Sequence, residues 1–223
     1  MADRPPLLRP FLVKICGVTT AEDAAAAAAA GADAVGVNLW PGSKRFVGGV
    51  EAARRVLAAL PAGVLRAGVF VNAAPAEVER AAAELQLDRV QLHGDERAAD
   101  FAALPRESLI RAVRVRDQDS FVEAAPWRAG LWLYDAFVAG FGGSGVGAPW
   151  PLVARAAARP FLLAGGLRPD NVAQAIALTR PDGVDVASGV EVGTGPDGAP
   201  SVRKDAARML AFVRAARAAA AQL

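Results

Sequence analysis
The stretch Phe11-Leu12-Val13-Lys14-Ile15-Cys16-Gly17-Val18-Thr19-Thr20 decides between two architectures. Its first six residues read as a strand. Ala21–Ala30, rich in the strongest helix former and stopped by Gly31, reads as the helix that follows. A strand feeding a helix in this way opens either a doubly wound open sheet or a closed (β/α)8 barrel. The open sheet expects a glycine-rich dinucleotide turn after its first strand. Cys16-Gly17-Val18-Thr19-Thr20 is no such fingerprint, so the decision rests on how often the unit repeats.

It repeats eight times. Further strands are predicted at Asp33–Leu39, Val64–Val71, Arg89–Leu92, Leu109–Val115, Leu131–Tyr134, Phe161–Leu163 and Gly183–Ala187. Further helices are predicted at Val50–Leu60, Pro75–Leu85 (proline in its first turn), Arg97–Ala103, Gln118–Ala124, Pro151–Ala158, Pro169–Leu178 and Arg203–Ala221. Eight strand–helix pairs argue an α/β fold with a parallel eight-stranded core closed into a single TIM barrel. No stretch reads as a domain linker. Residues 1–10 read as an N-terminal extension and residues 11–223 as one barrel domain, with glycine-rich loops at Phe137–Trp150 and Glu191–Val202.

Composition agrees. The chain of 223 residues is 53% hydrophobic and 22% charged, enough for a large core and against global disorder. Lys and Arg number 25 against 23 Asp and Glu, a net charge of +2 that does not indicate a basic nucleic-acid surface. A single cysteine, Cys16, rules out an internal disulfide framework and a multi-cysteine metal site. A single histidine, His93, rules out a histidine-rich metal centre. Ala24–Ala30, the longest apolar run of the N-terminal third, is too short and too weakly hydrophobic to span a membrane. Met1–Pro10 carries Asp3, Arg4 and Arg9 among prolines and lacks the apolar stretch of a signal peptide. The expected setting is the cytoplasm, where a lone thiol stays reduced, with no metal, nucleic acid or membrane as partner.

In a barrel the chemistry sits at the C-terminal ends of the strands, and side chains alternate between interior and helices. Val13 and Ile15 should face helices, which turns Lys14 and Cys16 inward. Trp132 and Tyr134 should face helices, which turns Leu133 and Asp135 inward. Gln91 and His93 share one face, and Asp185 lies inward between Val184 and Val186. Arg111 and Arg114 have opposite parity and stay unplaced. A lone cysteine is often a small buried hydrophobe, an aspartate ending a strand often caps the next helix, and Lys14 could simply be an ion-pair partner of Asp185. Against those readings, a thiol, a carboxylate and a cation converge on one rim. Leu163-Ala164-Gly165-Gly166-Leu167 and Ala187-Ser188-Gly189-Val190-Glu191 end the last two strands. Glycine turns in those two units are the usual barrel site for a phosphate held by backbone N–H groups.

These residues resemble the phosphoribosylanthranilate isomerase family. The resemblance runs through Lys14-Ile15-Cys16-Gly17 with Thr19, Ser43-Lys44-Arg45-Phe46-Val47, Gly68-Val69-Phe70-Val71-Asn72 and Val90-Gln91-Leu92-His93-Gly94-Asp95-Glu96. It continues through Asp135, Gly142-Gly143-Ser144-Gly145, the two glycine turns with Pro169 and Asn171-Val172, Asp185-Val186, and Lys204-Asp205, spanning roughly residues 11 to 217. Three features depart from the family pattern. Ala148-Pro149-Trp150 stands where the family has Phe-Asp-Trp, and Ser144 replaces a common threonine. The segment between Glu191 and Lys204 is also longer than usual.

The resemblance implies an Amadori rearrangement of a phosphoribosylated anthranilate in tryptophan biosynthesis, with no cofactor and no metal. It makes Cys16 the general base and Asp135 the general acid. It sets Arg45 at the anthranilate carboxylate and Gly165, Gly166, Ser188 and Gly189 at the phosphate, with Lys14, Gln91, His93 and Asp185 as further substrate residues. Lys44 is the lesser candidate for the carboxylate, because neighbours on an extended segment point opposite ways. The base requires a thiol brought down toward neutrality from ~8.5, for which Lys14 is the candidate and Asp185 a partial counterweight. The acid must hold its proton at the outset. A monomer or homodimer acting on a small molecule is expected.

Competing readings stay in view. An indoleglycerol-phosphate synthase would want several lysines and glutamates on the rim of a longer chain, whereas lysine occurs here only at 14, 44 and 204. The related histidine-pathway isomerase uses paired aspartates, against which Cys16 argues. A non-catalytic binding barrel would have no need of both Cys16 and Asp135.

Overall fold
Strand formation follows the β-branched runs, and each strand meets the next in parallel. A computed structural model describes residues 11–135, 150–194 and 200–223. Its strands β1 (Leu12–Cys16), β2 (Ala34–Asn38), β3 (Leu65–Phe70), β4 (Arg89–Leu92), β5 (Leu109–Arg114), β6 (Leu131–Asp135), β7 (Phe161–Ala164) and β8 (Gly183–Val186) pair in chain order. β8 returns to β1, with Lys14 directly opposite Asp185, and closes the barrel. The predicted extension at residues 1–10, the Gly142–Gly145 turn and the Ala148-Pro149 departure lie outside the described residues.

The helices are α1 (Ala21–Ala29), α2 (Val50–Ala58), α3 (Pro75–Leu85), α4 (Asp119–Ala124), α5 (Trp150–Ala156), α6 (Val172–Thr179) and α7 (Ala206–Ala220). Thr20 caps α1 by accepting from the Asp23 N–H, and Asp205 caps α7 by accepting from Arg208. Alternation along the strands separates two cores. Leu12, Leu65, Ile110, Leu133 and Leu162 fill the barrel, while Val13, Ile15, Trp132, Tyr134 and Val184 pack outward under the helices. The inward parity expected for Lys14, Cys16, Asp135 and Asp185 is thereby met. At the end of the barrel away from the mouth, Asp33 accepts from the Val13 N–H and pairs with Arg217, tying β1 to α7.

Three expectations need correction. Arg97–Ala103 is a single 3-10 turn, Ala98–Phe101, because Arg97 is extended and the buried Phe101 ring is drawn onto Trp127. The α6 helix starts at Val172 rather than Pro169, because the Asn171 side chain accepts from the Arg168 N–H and holds the preceding residues in a turn. Glu191–Val202 is not simply a loop. Strands β9 (Glu191–Thr194) and β10 (Pro200–Lys204) pair antiparallel, with Lys204 opposite Glu191. The last helix therefore begins three residues later than expected. Asp23 of α1 holds Arg203 through both carboxylate oxygens and also accepts from the Lys204 N–H, which keeps that stretch extended.

Candidate active site
A cavity of about 390 Å³ opens at the C-terminal ends of the strands, within the range of small-molecule sites. Cys16 of β1, Gln91 and His93 at β4, Asp135 of β6, Asp185 of β8 and the turns at Gly165-Gly166 and Ser188 all line it. Residues from five different strand ends thus meet in one space, although they are scattered over about 170 positions of sequence.

Cys16 ends β1, partly exposed on the floor of the mouth. Two positions earlier, the fully buried Lys14 donates to Asp185 Oδ1 at 2.9 Å and also reaches the Cys16 sulfur. Gly36, paired with Cys16 on β2, makes room for both. A Cβ there would sit 3.0 Å from the sulfur and 3.0 Å from Lys14 Nζ. Burial works against the Lys14 charge, but Asp185 and Cys16 reverse this and hold the ammonium above its ordinary range. For Cys16 the balance falls the other way. Burial raises the thiol, Lys14 lowers it, Asp185 raises it again, and the result lies above the ordinary value. Lys14 alone therefore does not supply the descent toward neutrality that a thiolate base requires. Lys14 itself lies beneath the floor rather than in the cavity wall, so it supports Cys16 instead of facing the cavity.

On the far side of the cavity, Gln91 Nε2 lies 3.0 Å from His93 Nδ1, and His93 Nε2 lies 3.6 Å from Asp135 Oδ2. A proton donated by Gln91 to Nδ1 leaves the ring's own N–H on the side of Asp135. Gln91 is buried, and its Oε1 has no hydrogen-bond partner among the described residues. The parity of β5 is also settled. Arg111 points outward to Glu96 at 2.6 Å and over the Trp127 ring, whereas Arg114 donates to the His93 carbonyl at the rim.

Arg45 does not lie on an extended segment. Ser43 accepts from the Arg45 N–H, and the Phe46 N–H returns to the Ser43 carbonyl, forming a turn. Lys44 and Arg45 consequently both line the cavity, which corrects the expectation that they point opposite ways. The guanidinium grips Glu191 through two donors, Nε at 2.5 Å and Nη2 at 3.1 Å. Burial opposes the Glu191 charge, but Arg45 and Lys204 hold its carboxyl below the usual range.

The two glycine turns face each other. Gly165 and Gly166 adopt φ of +89° and +63°, a region that favours glycine, and Asn171 braces the turn by donating to the Gly166 carbonyl. Ser188 lines the cavity, whereas Gly189 sits one layer back, so close to Leu167 that a Cβ would fall 1.9 Å from its carbonyl oxygen. Sequence reasoning assigned no role to Asn38 in the wall, to Gly36 or to the Glu191–Lys204 pair. Composition held a signal for the last. Lysine is used 3 times against 22 arginines, and two of the three lysines are buried beside this cavity. Among the described residues no cluster of His, Cys, Asp or Glu is suited to a metal ion, and no helix is long and apolar enough to cross a membrane.

Comparison with known proteins points one way. A family model described as N-(5′-phosphoribosyl)anthranilate (PRA) isomerase matches residues 13–214. The N-(5′-phosphoribosyl)anthranilate isomerase of Pseudomonas fluorescens is 45% identical over 208 residues, covering 92% of this chain and 94% of its own length. The crystal structure of phosphoribosyl anthranilate isomerase from Thermotoga maritima matches with a TM-score of 0.81 at 38% identity, over 93% of this chain and 99% of that one. Another phosphoribosyl anthranilate isomerase structure, in complex with reduced 1-(o-carboxyphenylamino)-1-deoxyribulose 5-phosphate, matches at 0.78 and 37% identity, over 93% and 99% of the two chains.

Proposed function
The chain belongs to the N-(5′-phosphoribosyl)anthranilate isomerase family and is an isomerase of tryptophan biosynthesis, and from that premise we propose that its proton transfers run between Cys16 and Asp135. The substrate is N-(5-phosphoribosyl)anthranilate and the product 1-(2-carboxyphenylamino)-1-deoxyribulose 5-phosphate. The observation that carries the assignment is that Cys16 and Asp135, from β1 and β6, open into the same cavity, which is also lined by Arg45 and by the glycine turns.

Asp135 protonates the ribose ring oxygen. The bond from that oxygen to C1′ breaks, and the anthranilate nitrogen forms a protonated Schiff base with C1′. Cys16, as thiolate, removes the proton from C2′. The electron pair left on C2′ forms the C1′–C2′ double bond of an enolamine and neutralises the nitrogen. The enolamine then tautomerises to the aminoketone. The raised thiol of the resting protein bears on the order of events. The Schiff base puts a positive charge next to the sulfur at the step that requires a thiolate, adding to the help from Lys14. His93 supports the Asp135 carboxylate that remains after proton donation.

Arg45 pairs with the anthranilate carboxylate, and the N–H groups of the Gly165-Gly166 and Ser188-Gly189 turns hold the phosphate. Holding both ends fixes the sugar between acid and base. Gln91, with its unpartnered oxygen, faces the same ligand, and Asp185 acts through Lys14. No cofactor is required, and the reaction belongs in the cytoplasm.

The test is turnover of phosphoribosylanthranilate generated in situ. Cys16→Ala and Asp135→Asn should each lose about 10²–10⁴-fold in kcat with the fold intact by circular dichroism. Wild-type turnover by either variant would remove that residue from its assigned role.

A further inference from the structure
Behind Arg45 lies a part of the molecule that the reaction does not use directly. Lys204 is buried, contributes nothing to the cavity wall, and donates to Glu191 Oε1 at 3.0 Å and to the Ala187 carbonyl at 3.0 Å. Glu191 is the same carboxylate that grips Arg45. We propose that Lys204 is a positioning residue for recognition of the substrate's aromatic carboxylate, because it neutralises Glu191 and so leaves the charge of Arg45 available to the ligand.

The argument is one of charge and of edges. Glu191 fixes Arg45 by taking Nε and one Nη2 proton, two of the five donors of a guanidinium. The opposite edge is left to a ligand, and it has the planar two-donor geometry that suits a carboxylate. Alone, however, the Arg45–Glu191 pair is neutral, and an incoming anion would meet a buried negative charge directly behind the arginine. Lys204 changes the sum of the cluster to one positive charge. It does so from a fixed point, since Arg203 and the Lys204 N–H are both fastened to Asp23 of α1. Its second hydrogen bond, to Ala187, ties the same ammonium to the residue preceding the Ser188 turn. Lysine is a deliberate choice here in physical terms. In a chain with 22 arginines, a compact ammonium is what fits a buried site with one carboxylate and one carbonyl as acceptors.

This inference rests on the reading that Arg45 takes the aromatic carboxylate, and the experiment separates the two. Two probes are titrated calorimetrically, the reduced product analogue and its anilino counterpart lacking the carboxylate. The proteins are wild type, Lys204→Met, Lys204→Arg, Arg45→Ala and the Lys204→Met/Arg45→Ala double variant. Lys204→Met should weaken the carboxylate probe by about tenfold, as expected for the loss of one positive charge nearby. The anilino probe should stay within about twofold, and Lys204→Arg, which keeps the charge in a head less suited to the site, should recover only part of the loss. In the Arg45→Ala background the Lys204 substitution should cost no further selectivity. If Arg45→Ala abolishes selectivity for the carboxylate while Lys204→Met leaves it unchanged, or weakens both probes equally, the inference is overturned and the Arg45 reading stands. If Arg45→Ala itself leaves selectivity intact, both fall together. Lys204→Gln, whose amide can still donate to Ala187, replaces the methionine variant if the latter fails to fold and carries the same expectation.

Discussion
Lys14 and Lys204 are both buried, and each points its ammonium at one carboxylate, Asp185 at 2.9 Å and Glu191 at 3.0 Å. Their charges nevertheless fare differently. Burial pushes both down. Lys14 recovers and ends above the ordinary lysine range, because Asp185 and the Cys16 sulfur both favour its proton. Lys204 stays below that range, because burial outweighs the pull of Glu191 and Cys16 and the neighbouring Arg45 guanidinium adds a small repulsion of its own. The difference separates two uses of a buried lysine. A private carboxylate makes a tight pair beneath a reacting sulfur, whereas a shared one leaves a cluster with net charge to offer a ligand.

Breaking the private pair should cost the most. Lys14→Met strands the Asp185 carboxylate, which has little exposure, and should lower stability by about 3–5 kcal/mol in chemical denaturation, the usual result of removing one partner of a buried pair. A loss under about 1 kcal/mol would mean that Asp185 finds another partner or takes up a proton. Breaking the shared pair should cost less. After Lys204→Met, Glu191 still has Arg45, so the loss should be about 1–2 kcal/mol, that of charge-assisted hydrogen bonds without a stranded charge. Equal losses from the two variants, measured side by side, would erase the distinction drawn here.

The same contrast marks what could be read from sequence. The period of two along a strand is local, so Lys14, Cys16, Asp135 and Asp185 could be turned inward from their neighbours alone, and eight repeats gave the barrel. Glu191 lies 146 positions from Arg45 in sequence, and no local pattern joins them. The β9–β10 hairpin was hidden by glycines that read as loop. Lys44 and Arg45 were set on opposite sides by strand parity, which does not apply in the turn that Ser43 makes. The thiol's environment is likewise only half legible. Sequence shows that Lys14 is near Cys16, but only the packing around the sulfur shows that burial outweighs it.

The most direct test of the Cys16 assignment is to follow kcat/KM for phosphoribosylanthranilate against pH alongside the ionisation of the thiol. Only one cysteine is present, so thiolate absorbance, corrected with Cys16→Ala, reports this sulfur alone. The single tyrosine, Tyr134, is raised by burial, which moves its ionisation away from the thiol's. A base must lose its proton before it can act, so kcat/KM should rise with pH as the thiol ionises. Because burial raises the folded thiol, that rise should be centred above the ordinary value of ~8.5. Coincidence of the two curves is the predicted result, and a kcat/KM that stays flat while the sulfur ionises would contradict it.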